Sequence, residues 1–250
     1  MVQAVRQRSA ARSPNGLMCA EIIGLPGAGK SSLIGCLERR QEPIKFVDTY
    51  IRVDRIPVFL QSALRVAPLL VRSRAFSVKE RIAMVRLQAS PRLLAAEGRP
   101  GRYPILFDQG PLFDLSVVKR AAERRGLTAE FDAWWRSSLE TWSRMLDLVV
   151  WLDASSDVLC ERIAARDKSH KLQLLDEKSA RSILERERAD QHELIDQITR
   201  SGGPRVLRID TSRSSLDQVA TQVMVHLAGG AHESSRHSSG PLGHSERRDL

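Results

Sequence analysis

The stretch 22–33, IIGLPGAGKSSL, decides how this chain is read. The run from Leu17 to Ile23 enters it, apolar enough to form a buried strand. Leu33, Ile34 and Leu37 leave it at helical spacing. Between them stand Gly24, Pro26, Gly27, Ala28 and Gly29, followed by Lys30, Ser31 and Ser32. Glycines at a strand-to-helix turn adopt backbone angles that side chains forbid, and they let backbone N–H groups converge on one anion. The helix that opens near Lys30 adds its positive dipole end. The spacing Gly24-x-x-x-x-Gly29-Lys30-Ser31 is the P-loop pattern, in its expected strand and helix context. Lys30 is then placed to bridge the outer phosphates of a nucleoside triphosphate, ATP, and the Ser31 hydroxyl to ligate Mg²⁺.

The chain has 250 residues, 42% hydrophobic and 28% charged. That suits one α/β domain with helical insertions. No apolar run approaches the roughly 20 residues that cross a bilayer, so no membrane partner is expected. Cys19, Cys36 and Cys160 are widely spaced, form no metal pattern and fit a reduced, cytoplasmic setting. Cys19 and Cys36 fall in the first strand and first helix, as core residues would. The formal charge of +9 invites a nucleic-acid partner. Aromatic residues are only 5%, however, and no reader motif is recognised, so nucleic acid is not the expected partner. A protein that handles polyphosphates also needs positive charge. Monomer and homodimer both remain open.

Residues 1–16 carry three arginines and no acid. They read as a disordered basic arm, with an organellar transit peptide as the alternative. The tail 229–250, rich in Gly, Ser, His and charge, is expected to be disordered. Between them lies one domain, 17–228.

Outward from the loop, strands alternate with helices. Ile44–Val47, Tyr103–Phe107, Leu148–Leu152 and Arg205–Ile209 read as the second to fifth strands. Helices are expected at 56–74, with Pro68 as a kink or break, and at 77–96, opened by a Ser77–Glu80 capping box. Others follow at about 111–125, 128–145, 156–166, 176–200 and 215–228. Such alternation implies a parallel sheet with helices on both faces. Ligands of such sheets sit at the carboxyl ends of the strands. The informative polar residues are therefore Asp48, Asp108, Asp153, Asp210 and Thr211.

Asp108 and Asp153 compete as the acidic partner of the phosphate loop, where a carboxylate would hold Mg²⁺. Asp153 is well explained as a turn or cap residue before a helix, and Asp108 is preferred. Arg162 and Arg166 lie four apart on one helix face. Lys168 and Lys171 extend that charge into a polar loop at about 166–176. After the fourth strand, such a cluster reads as a lid that closes over phosphates.

GLPGAGKSS, LDASSDVLCERIAAR and VLRIDTSRSSLDQVATQV resemble the nucleoside and nucleotide kinase group of P-loop kinases, and the thymidylate kinase-like proteins in particular. The resemblance implies a three-layer P-loop sandwich with a five-stranded parallel sheet in the order 2-3-1-4-5 and a small lid. It implies transfer of the γ-phosphoryl group of ATP to a small acceptor, a nucleotide or nucleoside. It places Arg162 near the adenine, Arg166 near the transferring phosphate, and 52–100 over the acceptor. The acceptor-side signatures depart: Asp108-Gln109-Gly110 stands where these kinases carry Asp-Arg-Tyr, and Val47-Asp48-Thr49-Tyr50 where they carry Glu-Pro-Gly-Gly. The expected catalytic set is Lys30, Asp108, Arg166 and Asp48, the last to orient or deprotonate the acceptor hydroxyl. A regulatory P-loop NTPase, or a kinase of a non-nucleotide metabolite, is the alternative.

Overall fold

The computed structural model describes residues 18–47, 56–72, 76–96, 103–126, 129–167, 169–200 and 202–235. Asp48, Arg52, Arg55 and Lys168 lie outside them, and so does the expected basic arm. In chain order the elements are β1 (Cys19–Gly24), α1 (Lys30–Arg39), β2 (Lys45–Val47), α2 (Ile56–Arg72), α3 (Val78–Ala96), β3 (Ile105–Asp108), α4 (Pro111–Glu123), α5 (Ala129–Met145), β4 (Leu148–Asp153), α6 (Ser156–Ala164), α7 (Glu177–Arg200), β5 (Arg205–Asp210) and α8 (Leu216–Ser235). A 3₁₀ turn, Lys171–Leu174, stands between α6 and α7.

Every strand pair is parallel and the order is β2-β3-β1-β4-β5, as expected from the sequence. The central strands β1 and β4 bury both faces, which is why they read as continuous apolar runs. Side chains still alternate between two cores. Cys19, Ile23, Phe107 and Trp151 join Met84, Leu115, Trp142 and Ile195 on the α3–α4–α5 side. Ala20, Ile22, Val150 and Leu152 join Leu33, Leu37, Leu159 and Val223 on the α1–α6–α8 side. Helix α7 serves both, through Leu184 in its first half and Leu194 and Ile198 in its second.

Three local expectations meet a definite outcome. Ser77 and Glu80 form the reciprocal capping box at the start of α3: Ser77 N donates to Glu80 Oε2 at 2.7 Å, and Glu80 N to Ser77 Oγ at 3.4 Å. Pro68 does not break α2, which runs unbroken to Arg72. Phe59 and Val66 anchor the helix against α3, and tertiary packing outweighs the lost backbone bond. The last helix continues to Ser235, beyond 228. Among the described residues no helix is long and apolar enough to cross a membrane.

Candidate active site

The phosphate loop leaves β1 at Gly24, whose φ is 154°. A Cβ there would stand 2.4 Å from the Leu152 carbonyl oxygen, so β4 itself excludes every other residue. Gly29 occupies the position before α1 with φ 94°, and no side chain caps that helix end. No side chain therefore answers the N–H groups of its first turn, an arrangement that suits an anion. Lys30 Nζ folds back on the loop, donating to Gly24 O at 2.6 Å and Leu25 O at 3.1 Å. Burial pushes its ammonium down to about 8, with Arg166 acting in the same direction and Asp108 and Glu187 opposing. An incoming polyphosphate would give that ammonium better partners than two carbonyls.

Pro26, Gly27, Ala28, Gly29, Lys30, Ser31 and Ser32 line a cleft of about 450 Å³, together with Leu152, Arg162, Arg166, Thr211, Ser214, Leu216 and Val219. The two expected arginines therefore face the phosphate loop. Arg162 is clamped: its guanidinium donates to Gly27 O at 3.3 Å, Thr211 Oγ1 at 3.0 Å and Thr211 O at 2.8 Å. Thr211 in turn donates its N–H to Asp153 O at 2.8 Å. One side chain thus ties the phosphate loop to the turn after β5. Arg166 is exposed at the end of α6.

The segment expected as a lid is a built turn. Gln173 Nε2 donates to Ile163 O and Arg166 O, while Gln173 Oε1 accepts from His170 N. His170 Nδ1 accepts from Leu172 N, completing a capping box. Burial holds the His170 imidazole below its ordinary value, helped by the cations Lys171 and Arg166. Lys171 Nζ lies 3.6 Å from Glu187 on α7.

The two competing aspartates have different surroundings. Asp153 is held by Arg188, whose Nε lies 3.2 and 3.1 Å from its two oxygens, and it also accepts from Ala154 N. Arg188 reaches Ser156 Oγ and Ala154 O as well, so this aspartate anchors α7 to the sheet. Asp108 ends β3 opposite Ile22 of β1 and acts electrostatically on Lys30. The next residue, Gln109, has φ 54°, a left-handed conformation that costs a non-glycine residue of order 1 kcal/mol.

Sequence reasoning missed two buried carboxyls near this turn. Glu21 sits fully buried in the middle of β1. Its oxygens accept from the N–H groups of Leu112 at 2.8 Å and Phe113 at 3.1 Å, in the first turn of α4. Gly110 makes room for it: a Cβ there would come within 3.0 Å of the Glu21 carboxyl carbon and 2.6 Å of Phe107 Cβ. Burial pushes Glu21 up to about 8 despite those bonds. Asp114, 2% exposed, takes Arg86 of α3 in a two-pronged ion pair, Nε to Oδ2 at 2.8 Å and the second nitrogen to Oδ1. Burial raises Asp114 to about 6, and Arg86 opposes the rise. The one signal on offer was a lone carboxylate inside CAEIIG.

The sheet order and the glycine-built turn after β1 define a class: a three-layer α/β protein with the P-loop fold. No family model matches the chain, and neither does any curated protein sequence. Among solved structures, deoxyadenosine kinase from M. mycoides with bound dATP is similar at 20% identity and a TM-score of 0.49, over 84% of this chain and 100% of that one. The YorR protein of Bacillus subtilis, in complex with phosphorylated GDP, is similar at 16% identity and a TM-score of 0.48, over 86% and 98%. Shikimate kinase from Bacteroides thetaiotaomicron follows at 13% identity and a TM-score of 0.47, over 84% and 98%. Likeness at this level carries no functional argument.

Proposed function

We propose that this protein is an ATP- and Mg²⁺-dependent phosphotransferase that moves the γ-phosphoryl group to a small acceptor of the nucleotide or nucleoside class. The observation that carries the reading is the shared cleft of Lys30, Arg162 and Arg166 around an uncapped helix N-terminus. The backbone N–H groups of the loop and Lys30 would bind the triphosphate. Arg162 and Thr211 hold the wall where the base would rest. Mg²⁺, when bound, would neutralise phosphate charge, and Ser31 and Asp108 are the residues to hold it. Arg166, exposed at the lid root, would close over the transferring group, where spread negative charge gains most from a cation.

On the acceptor side, Asp108-Gln109-Gly110 leads into α4, and the Arg86–Asp114 pair joins α3 to α4 at the carboxyl end of β3. With its carboxylate buried, the pair would brace the α3–α4 seam behind the acceptor side. Asp48 remains the proposed group for the acceptor hydroxyl. We read the protein as acting in the cytoplasm.

ADP formation with MgATP, measured with and without nucleosides and nucleoside monophosphates, tests the proposal. Acceptor-dependent ADP formation that Lys30→Ala abolishes supports it. ADP formation indifferent to every acceptor favours an NTPase switch instead. Dependence on a hydroxylated metabolite alone would retain the kinase and replace its acceptor class.

A further inference from the structure

Arg166 is exposed, yet its backbone is held on both sides. Its N–H donates to Ile163 O at 3.3 Å. Its carbonyl accepts from Gln173 Nε2 at 3.0 Å, and the same amide nitrogen donates to Ile163 O at 2.9 Å. Gln173 Oε1 accepts from His170 N at 2.7 Å. One side chain thus uses both its donors and its acceptor to close the chain between Arg166 and His170 into a ring. The ring is anchored from below. Leu172, 3% exposed, joins Leu159, Ile163 and Leu184 in the core, and its N–H donates to His170 Nδ1 at 3.3 Å.

Capping of α6 alone would account for the bond to Ile163 O, one of the carbonyls that a helix end leaves without a helical partner. The bond to Arg166 O is different. It lies beyond the helix, which ends at Ala164, and it falls on the residue whose side chain lines the phosphate cleft. That side chain needs holding. Arg166 and Lys30 are cations in one cleft, and Arg166 helps to push the Lys30 ammonium down. Repulsion and side-chain entropy both favour an Arg166 that swings out into solvent. Pinning its backbone limits that swing and keeps the guanidinium within reach of an anion bound at Lys30.

We propose that Gln173 is a positioning residue: its amide fixes the Arg166 backbone so that the guanidinium meets the outermost phosphate of a nucleoside triphosphate bound at Lys30. Gln173 acts through Arg166 and not by touching the nucleotide. The inference rests on the nucleotide-binding part of the proposed function, and it does not depend on the identity of the acceptor.

The test is calorimetric titration of the full chain with MgATP and with MgADP, no acceptor present. Gln173→Met keeps the length of the side chain and removes its hydrogen bonds. It should weaken MgATP binding about fivefold and MgADP binding less than about twofold, because the diphosphate ends short of Arg166. Arg166→Ala should weaken MgATP binding about tenfold, and adding Gln173→Met to it should cost less than about a further twofold. All three variants should keep the wild-type circular dichroism, since Leu172 still anchors the turn. Equal losses for MgATP and MgADP would reduce Gln173 to a cap of α6 and overturn the proposal. So would losses that multiply in the double variant, which would mean that Gln173 acts without Arg166. Gln173→Met that binds MgATP as tightly as the wild type overturns the positioning role alone. A wild type that binds neither nucleotide overturns the proposed function and the role of Gln173 with it.

Discussion

Replacing Glu21 by Gln should change how stability depends on pH, and by an amount the structure fixes. The wild-type carboxyl stands at about 8 in the fold, against 4.5 for an ordinary glutamate. The cause is first its burial among apolar side chains, with nearby Asp114 adding to it and the α4 N–H groups opposing. A folded pKa above the unfolded one means that the native state holds a proton the unfolded chain has released. Stability from this group is therefore fully present below about pH 4.5 and declines as pH rises, until the native carboxyl also ionises near 8. Between about pH 6 and pH 8 the loss is about 2 kcal/mol, from 1.36 kcal/mol per pH unit, reduced near the upper end where the native group begins to titrate. Gln cannot ionise, so the variant escapes that loss. It presents one good acceptor where two N–H groups point, which costs it about 1 kcal/mol at low pH. The two stabilities should cross near about pH 5, and from about pH 6 to pH 8 the variant's lead should widen by about 2 kcal/mol. Urea unfolding at several pH values, read as wild type minus variant, isolates this group. His170 and His192, both held below their ordinary value and so acting in the opposite sense, cancel in the difference. A difference that stays constant from about pH 6 to pH 8 would show Glu21 ionised in the fold and refute the reasoning.

Other substitutions probe the site more coarsely. Lys30→Ala should cut ATP turnover roughly a hundredfold or more while thermal unfolding barely moves, since the side chain's partners are its own loop carbonyls. Gly24→Ala drives a methyl group into the Leu152 carbonyl and should destabilise the protein by about 3 kcal/mol in urea, with MgATP binding lost. Arg188→Ala leaves Asp153 without its main partner and should cost about 2 kcal/mol; a change below about 0.5 kcal/mol would deny it an anchoring role. Arg162→Ala unties Thr211 from the phosphate loop and should weaken MgATP binding about tenfold by calorimetry.

What the sequence disclosed, and what it hid, follows from the range of the physics involved. The phosphate loop is local: its glycines answer to backbone angles within one turn, and Lys30 follows them directly, so spacing alone revealed it. The strands β1, β3 and β4 are buried on both faces and declare themselves as apolar runs, and their parallel direction follows from the alternation with helices; the strand order came from the resemblance. Glu21 is the opposite case. Its partners, Leu112 and Phe113, lie about ninety residues away, and only the pairing of β1 with β3 brings the start of α4 over it. Asp153 was a capping candidate by its neighbours in sequence, yet its carboxylate answers to Arg188, 35 positions on. Pro68 reads as a kink or break by local rules, and the break is overruled by the packing of α2 on α3. Helix α2 was in plain view as an apolar helix, but only burial separates Phe59 and Val66, which are packed, from Leu60 and Leu64, which are exposed.

The central claim is that the cleft transfers a phosphoryl group rather than merely hydrolysing ATP. The most direct measurement follows the fate of a labelled γ-phosphoryl group in the presence of MgATP and the panel of nucleosides and nucleoside monophosphates. The account predicts label covalently bound to one acceptor, in step with ADP, and none with Lys30→Ala. Label appearing only as inorganic phosphate, at a rate no acceptor alters, would contradict it.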